Sequence, residues 1–286
     1  MKHNAEPLAV RWRYDAGRGA IVWQLMFTET GDLIGQKRFA AKRRALFFGI
    51  ETATGRLFSD DFLLMDKHSL PLGEGWFTGL ETTRRDLAYC YASQPLTPEH
   101  QGIWAVDFRA GRVVWSRSDI GFVAKLDDEF LVCQTSIFGG FPERQFWLVD
   151  PSSGVDISHS ALDSAQANAI REKAVPEEVR QQIILPEVVA EGMVEAHRAL
   201  QSVGISETCR CEYIVHGTVT VAALHEQLQL TGLWRSSLKV WQSGCLLYAD
   251  GMEESVDKPS LNNFLIHGDN LYYLREREEL VCVAIS

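Results

Sequence analysis

The chain has 286 residues, 46% hydrophobic and 23% charged, which is an ordinary composition for a globular protein. Its formal net charge is −10. Because phosphate contacts dominate affinity for nucleic acids, this charge argues against nucleic-acid binding, and it argues equally against an anionic membrane surface. The N-terminus, MKHNAEPLAV, has no apolar segment of the signal-peptide kind, and no uncharged apolar stretch reaches membrane-spanning length. We therefore expect a cytoplasmic protein.

Short apolar runs bounded by turn residues predict an N-terminal strand followed by groups of four strands. In chain order these strands span residues 8–14, 20–27, 31–38, 44–51, 55–61, 75–82, 87–92, 102–108, 111–117, 120–125, 129–134, 145–150 and 155–158. A further group falls within 211–250, in uncertain register, and a last group of three spans 262–267, 270–275 and 279–285.

Three of these groups share a motif of apolar residues, an acid, three further residues and a glycine. The motif occurs as Phe47–Gly55, Ile103–Gly111 and Phe146–Gly154. The acid can accept hydrogen bonds from turn amides, and the glycine supplies the positive φ that a tight hairpin needs. Asp107 is therefore predicted to cap a turn rather than to catalyse. The glycines lie 56 and 43 residues apart, a spacing typical of propeller blades.

The stretch AVDFRAGRVVW resembles the quinoprotein-type β-propeller repeat, in which an ALD–TG–W strand–turn–strand closes each blade. FFGIETATGRLF and FWLVDPSSGVDI resemble it more weakly. The whole chain also resembles an uncharacterised bacterial family of propeller-like proteins, labelled only as a domain of unknown function. The resemblance implies architecture alone, because nothing in the chain matches the quinone pocket of those enzymes. No cofactor is expected.

Residues 160–205 interrupt the strands with a helical period. Asp163 and Ser164 suit the N-cap of a first helix, and Pro176 suits the first turn of a second. Pro186 could begin a third helix that ends near Gly204. The segment is predicted to be a helical insertion within a single β-propeller domain, 1–286.

The last group of strands has only three members, and residues 8–14 can supply the fourth by pairing with 279–285. This pairing removes open strand edges. The count then gives an all-β chain of about five four-stranded blades, with six as the alternative.

Few residues indicate catalysis or metal binding. Cys209 and Cys211 could form half of a metal site, but the chain has no second ligand pair at zinc spacing, so ordinary strand cysteines and no metal are predicted. His225 and Glu226 follow the apolar run TVTVAAL and are the candidate acid–base residues. A strand end capped by polar side chains would look the same.

A dense basic cluster, Lys37-Arg38 and Lys42-Arg43-Arg44, is predicted at a hairpin. It could grip a phosphate or an acidic partner, but a solvated hairpin tip is the commoner case.

The long connections are predicted to lie on one face. In an up-and-down blade, the loop between strands two and three emerges beside the connection to the next blade. Loops 93–101 and 136–144 and the insertion would therefore gather there, where a rigid scaffold usually carries function. The candidate residues for a ligand or partner are His100, Phe138, Phe141, Glu143 and Arg144.

The leading hypothesis is a non-enzymatic binding or interaction module, with a protein partner or a small ligand on this face. The chain has no G-x-S-x-G, Gly-rich phosphate loop, H-E-x-x-H or EF-hand motif. Propeller enzymes collect residues from several blades without a linear motif. A hydrolase-type enzyme, or a ligand sensor using polar residues at the channel mouth, therefore remains the alternative.

Overall fold

The computed structural model describes residues 7–94, 97–139, 141–157, 161–189, 193, 198, 200–205 and 210–285. Five antiparallel sheets of three to five strands make up most of it, with a helical insertion between the third and the fourth. The predicted all-β fold class is confirmed, and the five sheets match the predicted count of about five blades. The chain divides into a three-sheet unit, Gly19–Gln181, and a two-sheet unit, Met1–Arg18 with Gln182–Ser286. That both belong to a single domain remains a prediction.

Strand β1 (Val10–Asp15) precedes the first sheet and joins the last one. The first sheet has the order β2 (Ala20–Phe27), β3 (Leu33–Phe39), β4 (Arg44–Glu51) and β5 (Arg56–Phe62). The second has the order β6 (Thr78–Arg84), β7 (Leu87–Gln94), β8 (Thr97–Asp107) and β9 (Arg112–Arg117). The third contains β10 (Gly121–Lys125), β11 (Phe130–Phe138) and β12 (Phe141–Val149).

The sheets of the three-sheet unit pack on one another in chain order. Successive side chains of a strand point to opposite faces, so the second sheet can bury both sides. Trp104 packs with Phe47 of the first sheet, whereas the neighbouring Ile103 packs with Phe130 of the third. Burial of each such side chain stabilises the fold by about 1.5–3 kcal/mol.

The repeated motif forms the turns that the sequence predicts. Gly55, Gly111 and Gly154 have φ values of 75°, 64° and 71°. The carboxylate of Asp107 accepts a hydrogen bond from the Ala110 amide at 2.9 Å. Asp107 is therefore a turn cap, as predicted.

The third sheet departs from the prediction at its outer edge. Residues 155–158 were expected to form a fourth strand, but Val149 and Asp156 make only an isolated bridge there. Asp156 instead accepts a hydrogen bond from Trp147 Nε1 at 2.8 Å and pairs with Arg117 at 3.0 Å. Backbone hydrogen bonds from the Asp150 amide to the Val155 carbonyl and from the Ile157 amide to the Leu148 carbonyl, both at 2.9 Å, flank the bridge, and the side-chain contacts add to them.

The two expected loops, 93–101 and 136–144, are largely strand, and the loop prediction was wrong. Gln94 pairs with Thr97, and Phe138 pairs with Phe141, so both hairpins continue almost to their tips.

Helix α1 (Ser164–Lys173) begins with a capping box. The Asp163 carboxylate accepts from the Gln166 amide at 2.8 Å, and the Gln166 side chain accepts from the Asp163 amide at 3.0 Å. Helix α2 (Glu177–Arg180) follows Pro176, which is its N-cap rather than its first helical residue.

The predicted third helix does not begin at Pro186. Two short strands, β13 (Ile183–Ile184) and β14 (Glu187–Val188), follow α2 instead. Pairing of Glu187 with Tyr213 overrides the local helical preference. Most of the remaining predicted helix, and Cys209, lie outside the described residues, although Gly204 has the φ of 82° expected at a helix end.

The first part of the insertion, helix α1, lies near the two long hairpins, because Asn168 and Arg171 line one cavity with His100 and Arg144. Ala167 of α1 is buried against Leu131 and Ala124, so the helix covers a face of the third sheet. Farther on, Arg180 pairs with Asp127 at 3.2 Å, at the short turn on the opposite end of that sheet.

In the two-sheet unit, the fourth sheet joins β14 to β15 (Arg210–His216), β16 (Val219–Gln227), β17 (Trp234–Gln242) and β18 (Cys245–Val256). The fifth has the order β1, β21 (Glu279–Ala284), β20 (Asn270–Arg275), β19 (Phe264–His267) and β13. Tyr14 pairs with Leu280, which confirms the predicted union of the first and last strands. Val221 and Val240 of the fourth sheet pack with Val281 of the fifth.

Candidate functional site

The long connections of the three-sheet unit share one end of its sheets. The strand ends that flank three hairpin turns lie there, namely Phe39 and Arg44, Gln94 and Thr97, and Phe138 and Phe141, together with the connections 62–78 and 117–121. Gln36 donates to the Thr78 carbonyl at 2.8 Å, and Arg144 donates to Glu99 at 2.5 Å, so the neighbouring sheets meet at this end. We call these five segments the long-loop end.

The β11–β12 ribbon carries exposed apolar side chains at its tip. Ile137 is 80% exposed and Phe141 is 77% exposed. Ile137 is paired with Pro142, and Phe141 with Phe138, so the two exposed side chains lie on opposite faces of the ribbon. Glu143, two residues after Phe141, is also exposed. The side chain of Phe138 lies outside what the structure describes.

Two predicted site residues, His100 and Arg144, come together beside this ribbon. They line a cavity of about 330 Å³ between the second sheet, the third sheet and α1, together with Glu99, Cys133, Asn168 and Arg171. Burial raises the pKa of the Cys133 thiol, which keeps it protonated and weakly nucleophilic. Glu143 and Phe141 do not line the cavity.

His100 also belongs to a polar and aromatic cluster on the second sheet. Its ring stacks on Tyr91, with centroids 3.4 Å apart and planes 9° apart. Its Nδ1 lies 2.7 Å from the carboxylate of Glu81. These two contacts fix the ring orientation.

The basic cluster of the sequence is not a simple solvated tip. Lys37 is buried and pairs with Asp60 at 2.7 Å and Asp61 at 2.8 Å. The guanidinium of Arg38 lies over the rings of Trp23, at 4.7 Å, and Trp76, at 5.4 Å. Sequence reasoning missed this arrangement because β2 carries a bulge between Val22 and Gln24, which alters the register beside β3.

The side chains of His225 and Glu226 make separate contacts, although both residues line an open cavity on the fourth sheet. His225 is 3% exposed, and its ring nitrogens lie 2.9 Å from Ser236 Oγ and 3.3 Å from Glu212 Oε2. Glu226 points to the other face of β16, where it pairs with Arg235 at 2.7 Å. A catalytic role for the two residues remains a prediction.

The buried contacts of His225 continue across the fourth sheet. Ser236 Oγ donates to Glu253 at 3.2 Å, and Glu253 also accepts from the amide and hydroxyl of Ser260 at 3.0 and 2.6 Å. Glu212 and Glu253 are each 1% exposed. His225 and Ser236 are also almost fully buried, and this burial suits support of the sheet better than contact with a substrate.

An open cavity of about 970 Å³ lies on the fourth sheet, lined by charges of both signs that include Arg210, Glu226, Arg235, Lys239, Asp250 and Glu254. In the described ranges, no group of three His, Cys, Asp or Glu side chains could hold a metal ion. None of the helices within those ranges has the length and apolar character needed to cross a bilayer.

No family model and no curated protein match the chain. Similar solved structures include a prolyl endopeptidase, with a TM-score of 0.32 and 11% identity over 90% of this chain, which spans 38% of that protein. They also include BBS1N from its complex with ARL6DN, with a TM-score of 0.28 and 7% identity over 99% of this chain and 73% of that one. The Dos1 propeller has a TM-score of 0.30 and 9% identity over 98% of this chain and 96% of its own. The resemblance to quinoprotein repeats remains a prediction.

Proposed function

We propose that the chain is a non-enzymatic interaction module whose β11–β12 ribbon binds a protein partner. The observation that carries this proposal is the exposure of Ile137 and Phe141, 80% and 77%, on opposite faces of one ribbon. With both faces uncovered, the ribbon tip is available for insertion between surfaces of a partner.

The energetics favour such a use. Burial of one large apolar side chain contributes about 1.5–3 kcal/mol, and a few apolar anchors usually carry most of the affinity of an interface. Glu143, Arg144 and Glu99 surround these anchors with charge, which is the usual character of an interface rim.

The ribbon is also held on a rigid base. Arg144 donates to Glu99 of β8 at 2.5 Å, and the root of the hairpin packs through Phe130 into the core shared with the second sheet. A preorganised ribbon loses little conformational freedom on binding, which favours affinity.

The test compares the set of proteins that the full chain captures with the set that the double variant Ile137→Ser, Phe141→Ser captures. Leu230→Ser is the matched control, because Leu230 is 100% exposed on a turn of the two-sheet unit. All three proteins should melt within a few degrees of one another, since exposed substitutions change stability little. Bound proteins should be lost only with the double variant. An unchanged set of bound proteins would contradict the proposal.

A second candidate function, a sensor of small anionic ligands, is favoured by the cavity of about 330 Å³. Two guanidinium groups, Arg144 and Arg171, and the ring of His100 line it, and its volume is within the range of ligand sites. A thermal-shift screen with small carboxylates and phosphates tests this function. It predicts a stabilisation that Arg171→Gln abolishes, and the absence of any stabilisation would contradict it.

A further inference from the structure

The guanidinium of Arg38 is held in one orientation at the long-loop end. It lies over the rings of Trp23 and Trp76, at 4.7 and 5.4 Å. Its Nε donates to Gln36 Oε1 at 3.0 Å, and its Nη2 donates to the Thr78 carbonyl at 3.1 Å. Two indole rings and two hydrogen bonds therefore fix both the position and the plane of the charged group.

Arg38 differs from the buried lysines of the unit because no acidic side chain pairs with it in the described residues. Lys37 pairs with two aspartates, and the buried Lys125 lies 3.8 Å from Glu177. In the part of the chain that the structure describes, no carboxylate pairs with Arg38, and burial lowers the pKa of its guanidinium. A partly buried charge without a counterion is costly, and an anion that bound there would remove that cost.

The free edge of the guanidinium defines the chemistry of the ligand. With Nε and one N–H of Nη2 engaged, the N–H groups of Nη1 and the remaining N–H of Nη2 can form the two parallel hydrogen bonds that a carboxylate accepts. Trp23, whose ring lies under the guanidinium, is 57% exposed and offers an apolar platform.

The surroundings favour an extended acidic ligand over a single small anion. Lys42 and Arg44 are exposed on the adjoining β3–β4 hairpin tip. Arg43 is exposed there too and makes a long 3.6 Å pair with Glu74. These cations form a local basic patch on a chain whose net charge is −10.

We propose that Arg38, Trp23 and Trp76 form a carboxylate-binding site for an acidic peptide segment of a protein partner. Arg38 would bind one carboxylate through its free edge, Trp23 would cover the adjoining methylene groups, and the hairpin cations would attract neighbouring acids. The site is separate from the β11–β12 ribbon, so either proposal can fail without the other.

The probe is a capped oligoglutamate peptide, with capped oligoglutamine as the neutral control. Binding is followed by calorimetry and by the indole N–H signals of the full chain at an ionic strength of about 50 mM. Oligoglutamate should bind and shift the indole signals of Trp23 and Trp76, whereas oligoglutamine should not. Failure of oligoglutamate to bind the wild-type protein would overturn the proposal.

Three variants test the role of the fixed guanidinium. Arg38→Gln should weaken binding about tenfold, and Arg38→Lys, which keeps the charge but loses the fork, should also weaken it severalfold. Arg210→Gln is the matched control, because Arg210 lies 5.5 Å over Trp234 in the two-sheet unit, and it should bind as the wild type does. If Arg38→Gln does not fold, Arg38→Lys alone still tests whether binding needs the guanidinium.

Two results would point to another ligand or to a diffuse charge effect. If single-stranded RNA bound as tightly as oligoglutamate through Arg38, an acidic peptide would not be the ligand. If Lys42→Gln with Arg43→Gln weakened binding as much as Arg38→Gln does, the peptide would be held by nonspecific charge attraction and not by a defined site at Arg38. Either result would overturn the proposal.

Discussion

At the scale of single residues, the row Glu212, His225, Ser236 and Glu253 takes one side chain from each of the four long strands of the fourth sheet. Each member satisfies the polar atoms of its neighbour. When one partner of a buried pair is removed, the other is left unsatisfied, and that desolvation cost exceeds the net gain that the contact gave.

His225→Ala should therefore lower the free energy of unfolding by about 3–5 kcal/mol, because it removes the ring that contacts the buried Glu212 carboxylate and the Ser236 hydroxyl. Glu226→Gln should change it by less than about 0.5 kcal/mol, because Glu226 is exposed. Chemical denaturation of both variants measures the difference. Equal losses would mean that the row does not support the sheet.

Asp150 makes stability depend on pH at a repeat turn. Its carboxylate accepts from the Ser152 amide at 2.8 Å, and this bond lowers the pKa of the carboxyl below 3.8 in the folded protein. A lowered folded pKa means that the contribution to stability is complete above the unfolded value and disappears as the pH falls through the folded one.

Asp150→Asn should consequently reduce the loss of stability below about pH 4 and leave the remaining pH profile unchanged. Melting temperatures of wild type and variant between neutral and acid pH measure this, with Glu226→Gln as the control. Parallel profiles for the wild type and Asp150→Asn would contradict the assignment.

At the scale of elements, the repeat turns also connect neighbouring sheets. Trp115 of β9 donates from Nε1 to the Pro151 carbonyl at 2.8 Å, and its ring lies against Gly154. In the preceding repeat, Arg109 lies over the ring of Phe58 of β5 at 4.3 Å. The motif thus closes its own hairpin and packs against the sheet before it.

Gly154→Ala should be more destabilising than Gly111→Ala. Both glycines have positive φ, so each substitution costs about 1 kcal/mol or more in backbone strain. A Cβ at Gly154 would also lie 2.6 Å from the Trp115 ring, whereas at Gly111 nothing lies within 4 Å. If both variants lost the same free energy of unfolding in denaturant, the Trp115 ring would be able to move away from the new Cβ at no energetic cost.

The elements show what the sequence can predict and what it cannot. Local turn chemistry identified the three repeat turns, because an acid and a glycine at fixed spacing suffice to form them. The β14 pairing of Glu187 depends on a distant strand, and no local signal encodes it. At the site, the gathering of His100 and Arg144 followed from topology, whereas Arg38 between two tryptophans required the register after a bulge.

At the scale of the whole molecule, the first and last strands share one sheet. Deleting residues 1–15 would remove β1, with its buried Trp12 and Tyr14, and would expose the edge of β21. The loss should be several kcal/mol, seen as a much lower melting temperature or aggregation. A truncated chain as stable as the full one would contradict the pairing of β1 with β21.

The central claim, that the long-loop end binds a protein partner, is tested most directly by hydrogen–deuterium exchange of the chain alone and with its captured partner. The account predicts slower exchange on binding at the hairpin tips, residues 91–102 and 136–144. It predicts no change at the turns of the opposite end, residues 126–129 and 150–154. Protection confined to those opposite turns, with the hairpin tips unaffected, would contradict it.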